Sequence, residues 1–229
     1  MHIGGFVYLA KKIDRRLLLL EKKWTGVMRK TTIIKQLQDA LKPFGVVVTV
    51  ETNSRLAPNH KWIKGFFYWN RKHQPIELGI EFSSESPYYD WNGDRGRPRK
   101  TLFTISQTVQ HELIHKFQNQ RRDPDRYSWD YYIPIKHRKN GIAKSNIEYL
   151  GMLDELDTYG HDIAMEIKYH YPKLDPYDVL RNIKKYKLLF SYRYYLKVFK
   201  GVRSWKEIHD RLLKNVHKWL PYVTVMEKR

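Results

Sequence analysis

"TISQTVQHELIHKFQNQ", residues 104–120, sets Ile105, Val109, Leu113 and Phe117 at four-residue spacing with polar residues between them. That is the period of an amphipathic helix with one buried side. Inside it stands His111-Glu112-Leu113-Ile114-His115. Two histidines four residues apart on a helix share one face, one turn apart, so both imidazoles can reach a single ion. Glu112, between them, is placed to hold a water at that ion and to take its proton. The spacing makes His111 and His115 candidate metal ligands and Glu112 a candidate general base. A catalytic zinc site takes three protein ligands and keeps one position open for water, so a third ligand must be found elsewhere in the chain.

Ahead of this helix the chain alternates between helical and extended patterns. Leu9, Ile13, Leu17, Leu20 and Trp24 recur at three- and four-residue spacing, which predicts a short amphipathic helix, basic on its other face, that reads as an arm. A second helix follows Thr25-Gly26, with Ile33, Ile34, Leu37 and Leu41 as its stripe and Pro43 and Gly45 ending it. "VVVTVET" at 46–52 and "WIKGFFYWN" at 62–70 read as strands, being β-branched and aromatic. In "PIELGIEF", 75–82, Ile76, Leu78, Ile80 and Phe82 alternate with Glu77, Gly79 and Glu81, which predicts a strand with one buried and one polar face. The short linker "RKHQ" makes a hairpin of the last two strands, with the third expected near a sheet edge. Helix, sheet, then helix is an α+β order.

Downstream, "DELDTYGHDIA", 154–164, combines dense acidic residues with Leu153, Leu156, Ile163 and Ala164. Helical angles place Glu155 and Asp157 at opposite borders of that apolar stripe, so periodicity leaves both open as the third ligand. His161 reads as a solvated helix residue. A metzincin would require Gly and His where this chain has Gln118 and Arg121, which excludes that class.

"HELIH" followed at a distance by "ELDTYG" resembles the gluzincin kind of zincin-like metallopeptidases, in particular the ImmA/IrrE-type family, whose second motif reads approximately E-A-N-x-F-A. The correspondence runs through Glu155, Leu156, Asp157, Thr158, Tyr159 and Gly160, with Asp for Asn, Tyr for Phe and Gly for Ala. It spans residues 31–168 and is specific at the first motif. The chain also resembles small zincin-like proteins of tailed phages. The family resemblance implies a zincin-like fold, Zn2+ as cofactor and Glu155 as third ligand beside His111 and His115. Two other third ligands stay open: SprT-like proteases, which act on DNA-bound proteins, use a His, for which His137 stands at a tolerable distance, and an aspzincin pattern half matches Asp157. In a catalytic site, Glu112 takes a proton from the activated water and passes it to the leaving amine. Tyr159, one turn after Glu155, is the candidate donor to the developing oxyanion.

Composition bounds the rest. The chain has 229 residues, 43 Lys and Arg against 24 Asp and Glu, a net charge of +19, and no cysteine. Disulfides, thiolate ligands and a cysteine nucleophile are excluded, so a metal must sit on His and carboxylates. The charge suits an acidic partner, either nucleic acid or an acidic protein surface. "LRNIKKYKLLFSYRYYLKVFKGVRSWK", 180–206, interleaves cations with rings as a nucleic-acid surface would, although the rings fall at helical spacing suited to a core. The leucine run at 17–20 is broken by charges on both sides, so no signal peptide or membrane span is expected, and a cytoplasmic location is. The expected plan is a basic N-terminal helical arm at 1–27, a zincin-like domain at 28–170 with a small mixed sheet and an active-site helix, and a basic helical C-terminal extension at 171–229. Its expected function is zinc-dependent hydrolysis of a protein or peptide substrate. The rival expectation is a nucleic-acid-associated or virion structural protein on the same scaffold with little or no proteolysis.

Overall fold

The protein is described here from a computed structural model over residues 3–57, 60–66, 75–92, 98–121 and 144–226. It is an α+β structure whose chain divides by its contacts into two compact units, residues 1–119 with 228–229, and residues 120–227. The division falls between 119 and 120, whereas the sequence reading drew boundaries at 27/28 and 170/171.

In the first unit α1 (Ile3–Glu21) leads through β1 (Val27–Arg29) into α2 (Lys30–Leu41). The helix expected as an arm belongs to the packed body of this unit. Phe6, Ala10, Ile13, Leu17 and Leu20 are buried along one side of α1, and truncating one of the larger ones to Ala costs about 2–5 kcal/mol. α2 gives way to a single 3-10 turn, Lys42–Phe44, ended by Gly45 at φ 70°, a left-handed position that favours glycine.

Three strands then form one mixed sheet: β2 (Val46–Asn53), β3 (Lys61–Phe66) and β4 (Ile76–Ser83), in the order β2-β4-β3. β4 runs parallel to β2, with Val46 opposite Ile76, and antiparallel to β3, with Lys61 opposite Phe82. The expected antiparallel pairing is present, but β4 lies at the centre and not near an edge. A strand whose two faces both bury side chains is best paired on both sides. Ile76, Leu78, Ile80 and Phe82 are buried as the alternation predicted, yet Gly79, Glu81 and Ser83 on the polar face are buried as well. The stem of Lys64 accounts for the first two. It lies over Gly79, where a Cβ would meet Lys64 Cε at 2.9 Å, and its Nζ reaches Glu81 at 2.7 Å and Glu51 at 3.0 Å. The hydrogen bonds from Lys64 and Asn53 hold the Glu81 carboxyl below its ordinary range.

The two sheet edges differ. Gln38 of α2 occupies the outer edge of β2, donating to Val46 O at 3.1 Å and accepting from Val48 N at 2.7 Å, as a neighbouring strand would. No described strand pairs with the outer edge of β3. β5 (Tyr88–Asp90) pairs antiparallel with β1, and α3 (Pro98–Arg121) completes the unit. α3 is tied to α1 through a buried polar network. Ser106 donates its hydroxyl to Asp14, and Gln110 donates to Ser106 at 2.9 Å. Phe6 packs edge-on against Phe117 at 6.4 Å.

The described residues of the second unit are helical: α4 (Lys144–Leu150), α5 (Leu153–His170), α6 (Pro176–Arg181), α7 (Phe190–Val198) and α8 (Trp205–Trp219). α4 and α5 are close in sequence but do not run on as one helix. They are separate because Gly151 is a weak helix former and Met152 takes an extended conformation, φ −64° and ψ 143°. α5 is the axis of this unit, with Leu156, Ile163, Ala164, Met165 and Ile167 fully enclosed. Asn215 and Val216 of α8 sit so close to Gly160 that a Cβ there would lie 2.5 Å from the Asn215 Cβ and 2.9 Å from its backbone carbon. Glu166, buried, caps the start of α7 by accepting from Ser191 N at 3.1 Å and Ser191 Oγ at 2.8 Å, a carboxylate at the positive end of a helix. The rings of 180–206 divide accordingly. Tyr192, Tyr195 and Phe199 are core, whereas Phe190 and Tyr194 stay exposed.

No described helix is long and apolar enough to cross a membrane.

Candidate metal centre

α3 supplies the two histidines from its interior, where each backbone group has an intrahelical partner and the side-chain directions are fixed by the helix itself. His111 Nε2 and His115 Nε2 lie 3.2 Å apart. Two imidazole nitrogens at about 2.0–2.1 Å from one tetrahedral zinc would stand about 3.3 Å apart, so the pair fits a single ion. His115 Nδ1 lies 3.0 Å from Gln118 Oε1. With Nδ1–H donating to that oxygen, Nε2 keeps its lone pair for a metal, the usual arrangement of a ligating histidine held by an outer partner.

Among the described residues, His111, His115 and Glu155 form a group able to hold a metal ion: each offers one ligand atom, and these atoms lie within 4.8 Å of one another. Two imidazoles and a carboxylate, without a thiolate, are a donor set that zinc accepts. The two carboxylates that helical periodicity left open have different surroundings. Glu155 is buried at 4 % exposure. The Asp157 carboxylate is taken up on the other side of α5 by Lys218 Nζ at 2.7 Å and Trp219 Nε1 at 2.9 Å. His137 lies outside the described residues. His161 is a correction to the sequence reading. It is fully buried and stacks edge-on against Trp219 at 5.1 Å, because it faces α8, which a helix read in isolation cannot foresee.

Glu112 is nearly enclosed, at 9 % exposure. β3 passes it at Gly65, where a Cβ would meet Thr108 Cγ2 at 2.6 Å and Glu112 Cγ and Oε1 at 2.9 Å. Glycine is therefore required for the β3 backbone to run this close to the carboxylate. Tyr159 is half-buried and packs against Tyr195 at 4.9 Å and Tyr194 at 6.4 Å. Burial pushes the Tyr195 phenol well above its ordinary range, and the Glu155 charge adds in the same direction, so Tyr195 is a neutral donor.

Gln118, Gly65 and Tyr195 were not singled out by the sequence. Gln118 had a usable signal, since a side-chain amide three residues after a ligand histidine can reach its ring. Gly65 inside a strand was a sign of close backbone approach. Tyr195, forty residues beyond Glu155 in a tyrosine-rich run, had none.

Comparison with protein-family models, with curated proteins and with solved structures gives no match.

Proposed function

We propose that this chain is a zinc-dependent metallopeptidase of zincin-like fold, a reading carried by the His111, His115 and Glu155 group with Glu112 on the same helix. When bound there, zinc supplies Lewis-acid chemistry at neutral pH. Glu112 is the general base. Its carboxylate takes a proton from water as the water oxygen bonds to the peptide carbonyl carbon, and returns that proton to the amine that leaves as the C–N bond breaks. The substrate lies along β3, whose outer edge has no described partner strand and whose backbone passes Glu112 at Gly65. Peptide added to that edge gains main-chain hydrogen bonds, with side chains alternating between the two faces. Tyr159, one turn beyond Glu155, is the proposed donor to the oxyanion.

Metal analysis of the purified full chain beside His111→Ala tests this directly. Stoichiometric zinc in the wild type and its loss in the variant are expected; a wild type without zinc under non-chelating conditions removes the catalytic reading.

The charge of +19 favours a second reading, in which the protein is held on nucleic acid and cuts little or nothing. Arg203, Lys206, Arg211 and Lys214 line one cleft beside α8, interspersed with Glu207 and Asp210. Binding of this kind weakens steeply with salt, because cations released from phosphates drive it. DNA affinity that does not change with salt would exclude it.

A further inference from the structure

Glu155 is the third residue of α5, within the turn whose backbone N–H groups lack intrahelical partners, and the residue at the helix start, Met152, offers no side-chain cap. An uncapped first turn frays, so a ligand placed on it is poorly aimed unless other elements hold the turn. Two later helices hold it from both sides. Before Glu155, the buried hydroxyl of Tyr195 in α7 donates to Leu150 O at 2.9 Å, fixing the last residue of α4 ahead of the Gly151–Met152 corner. After Glu155, Trp219 Nε1 of α8 donates both to Asp157 O at 3.0 Å and to its carboxylate at 2.9 Å, and Lys218 adds 2.7 Å to that carboxylate. Gly160, one turn further on, is what allows α8 to come this close.

We infer that α7 and α8 clamp the first turn of α5 and thereby set the aim of Glu155, with Tyr195 and Trp219 as positioning residues for metal binding. The inference rests on the proposed role of Glu155 as a ligand. On this view the basic C-terminal helices are part of the metal centre's support, whatever else their surface does. Neither side chain needs to touch the ion. Each fixes a backbone point, five residues before the ligand or two after it, and a carboxylate displaced by a fraction of an ångström loses much of its bond to a metal.

The test measures zinc affinity of the full chain, by competition with a chromophoric chelator, beside the melting temperature of zinc-free protein. Tyr195→Phe removes only the donor, Trp219→Phe removes the donor together with part of the ring, and both are expected to weaken zinc binding by about tenfold or more, as loss of supporting contacts around a metal site does. Lys218→Met is half-exposed and leaves the fold intact, so it serves if either aromatic variant does not fold; a several-fold loss is expected. Tyr192→Phe is the control, since it removes a hydrogen bond of similar length, 3.1 Å to His209, from the same helix. It is expected to lower the melting temperature and leave zinc affinity unchanged. Wild-type zinc affinity in the clamp variants, or an equal loss in Tyr192→Phe, would overturn the clamp. Glu155→Gln separates the two levels. If it binds zinc as the wild type does, the ligand assignment fails and the clamp with it. If it weakens binding while the clamp variants do not, the clamp alone is wrong.

Discussion

α3 and α5 carry the residues of the candidate centre in opposite ways. His111 and His115 sit in the interior of a 24-residue helix, with their geometry set by the helix repeat and trimmed by Gln118 one turn on. Glu155 sits in the first, uncapped turn of an 18-residue helix, and Leu150 before it and Asp157 after it are held by Tyr195 and Trp219, 45 and 62 positions away from them. One pair of donors is fixed locally, the other donor from a distance. The lesson is that a ligand's legibility in sequence follows how it is held. A spacing enforced by backbone hydrogen bonds can be read directly, whereas a carboxylate aimed by tertiary packing cannot.

The largest test of the α3 side is Glu112→Gln. On the proposed reading this variant keeps zinc and loses peptide hydrolysis by about 100- to 10,000-fold, the span of general-base contributions. Steady-state kinetics on an unstructured protein substrate, with zinc content measured in parallel, checks both halves. Retained hydrolysis would move the chemistry away from α3. A smaller effect is expected from Gln118→Leu, which removes the acceptor at His115 Nδ1 and is expected to weaken zinc binding by about 10- to 100-fold. If affinity is unchanged, the local trimming of α3 is incidental and the contrast between the helices narrows.

On the α5 side, Gly160→Ala forces a methyl to within 2.9 Å of Asn215 backbone and is expected to cost about 1–3 kcal/mol, the usual range for overpacking. Denaturant unfolding measures this, and a neutral result would mean that α8 can retreat from α5 without loss. The smallest effect concerns pH. Burial holds the His209 imidazole below its ordinary value of 6.5, so the unfolded chain takes up that proton first as the solution is acidified. Its contribution to stability is complete above pH 6.5 and falls as pH drops from there through the lowered folded value. His209→Gln should flatten that slope, read from unfolding midpoints on either side of the window. An identical slope would place the acid sensitivity elsewhere.

Much of the first unit was written in local patterns. The stripes of α1 and α2, the alternation of β4 and the helix around 104–120 each follow from a period that the side chains repeat. What escaped were features set by neighbours. The centre position of β4 depends on β2 pairing directly with it in parallel, although β3 lies between them in the sequence, a long-range choice that alternation does not encode. The burial of its polar face depends on Lys64 folding over Gly79. The inclusion of α1 in the packed body brings Asp14 to Ser106, ninety-two residues away, a meeting that the stripe of α1 does not encode.

The sequence by itself determined that any metal here must use His and carboxylate donors, because cysteine is absent. It also determined that His111 and His115 share one face, because a helix repeats every 3.6 residues. Tertiary structure alone decided where the Asp157 carboxylate goes, since Glu155 and Asp157 border the same apolar stripe. α8 takes up the Asp157 carboxylate with Lys218 and Trp219, while Glu155, among the described residues, belongs to the group that could hold a metal ion with the two imidazoles. Periodicity fixes where a side chain sits around its own helix. Which neighbour that side chain meets is fixed by packing.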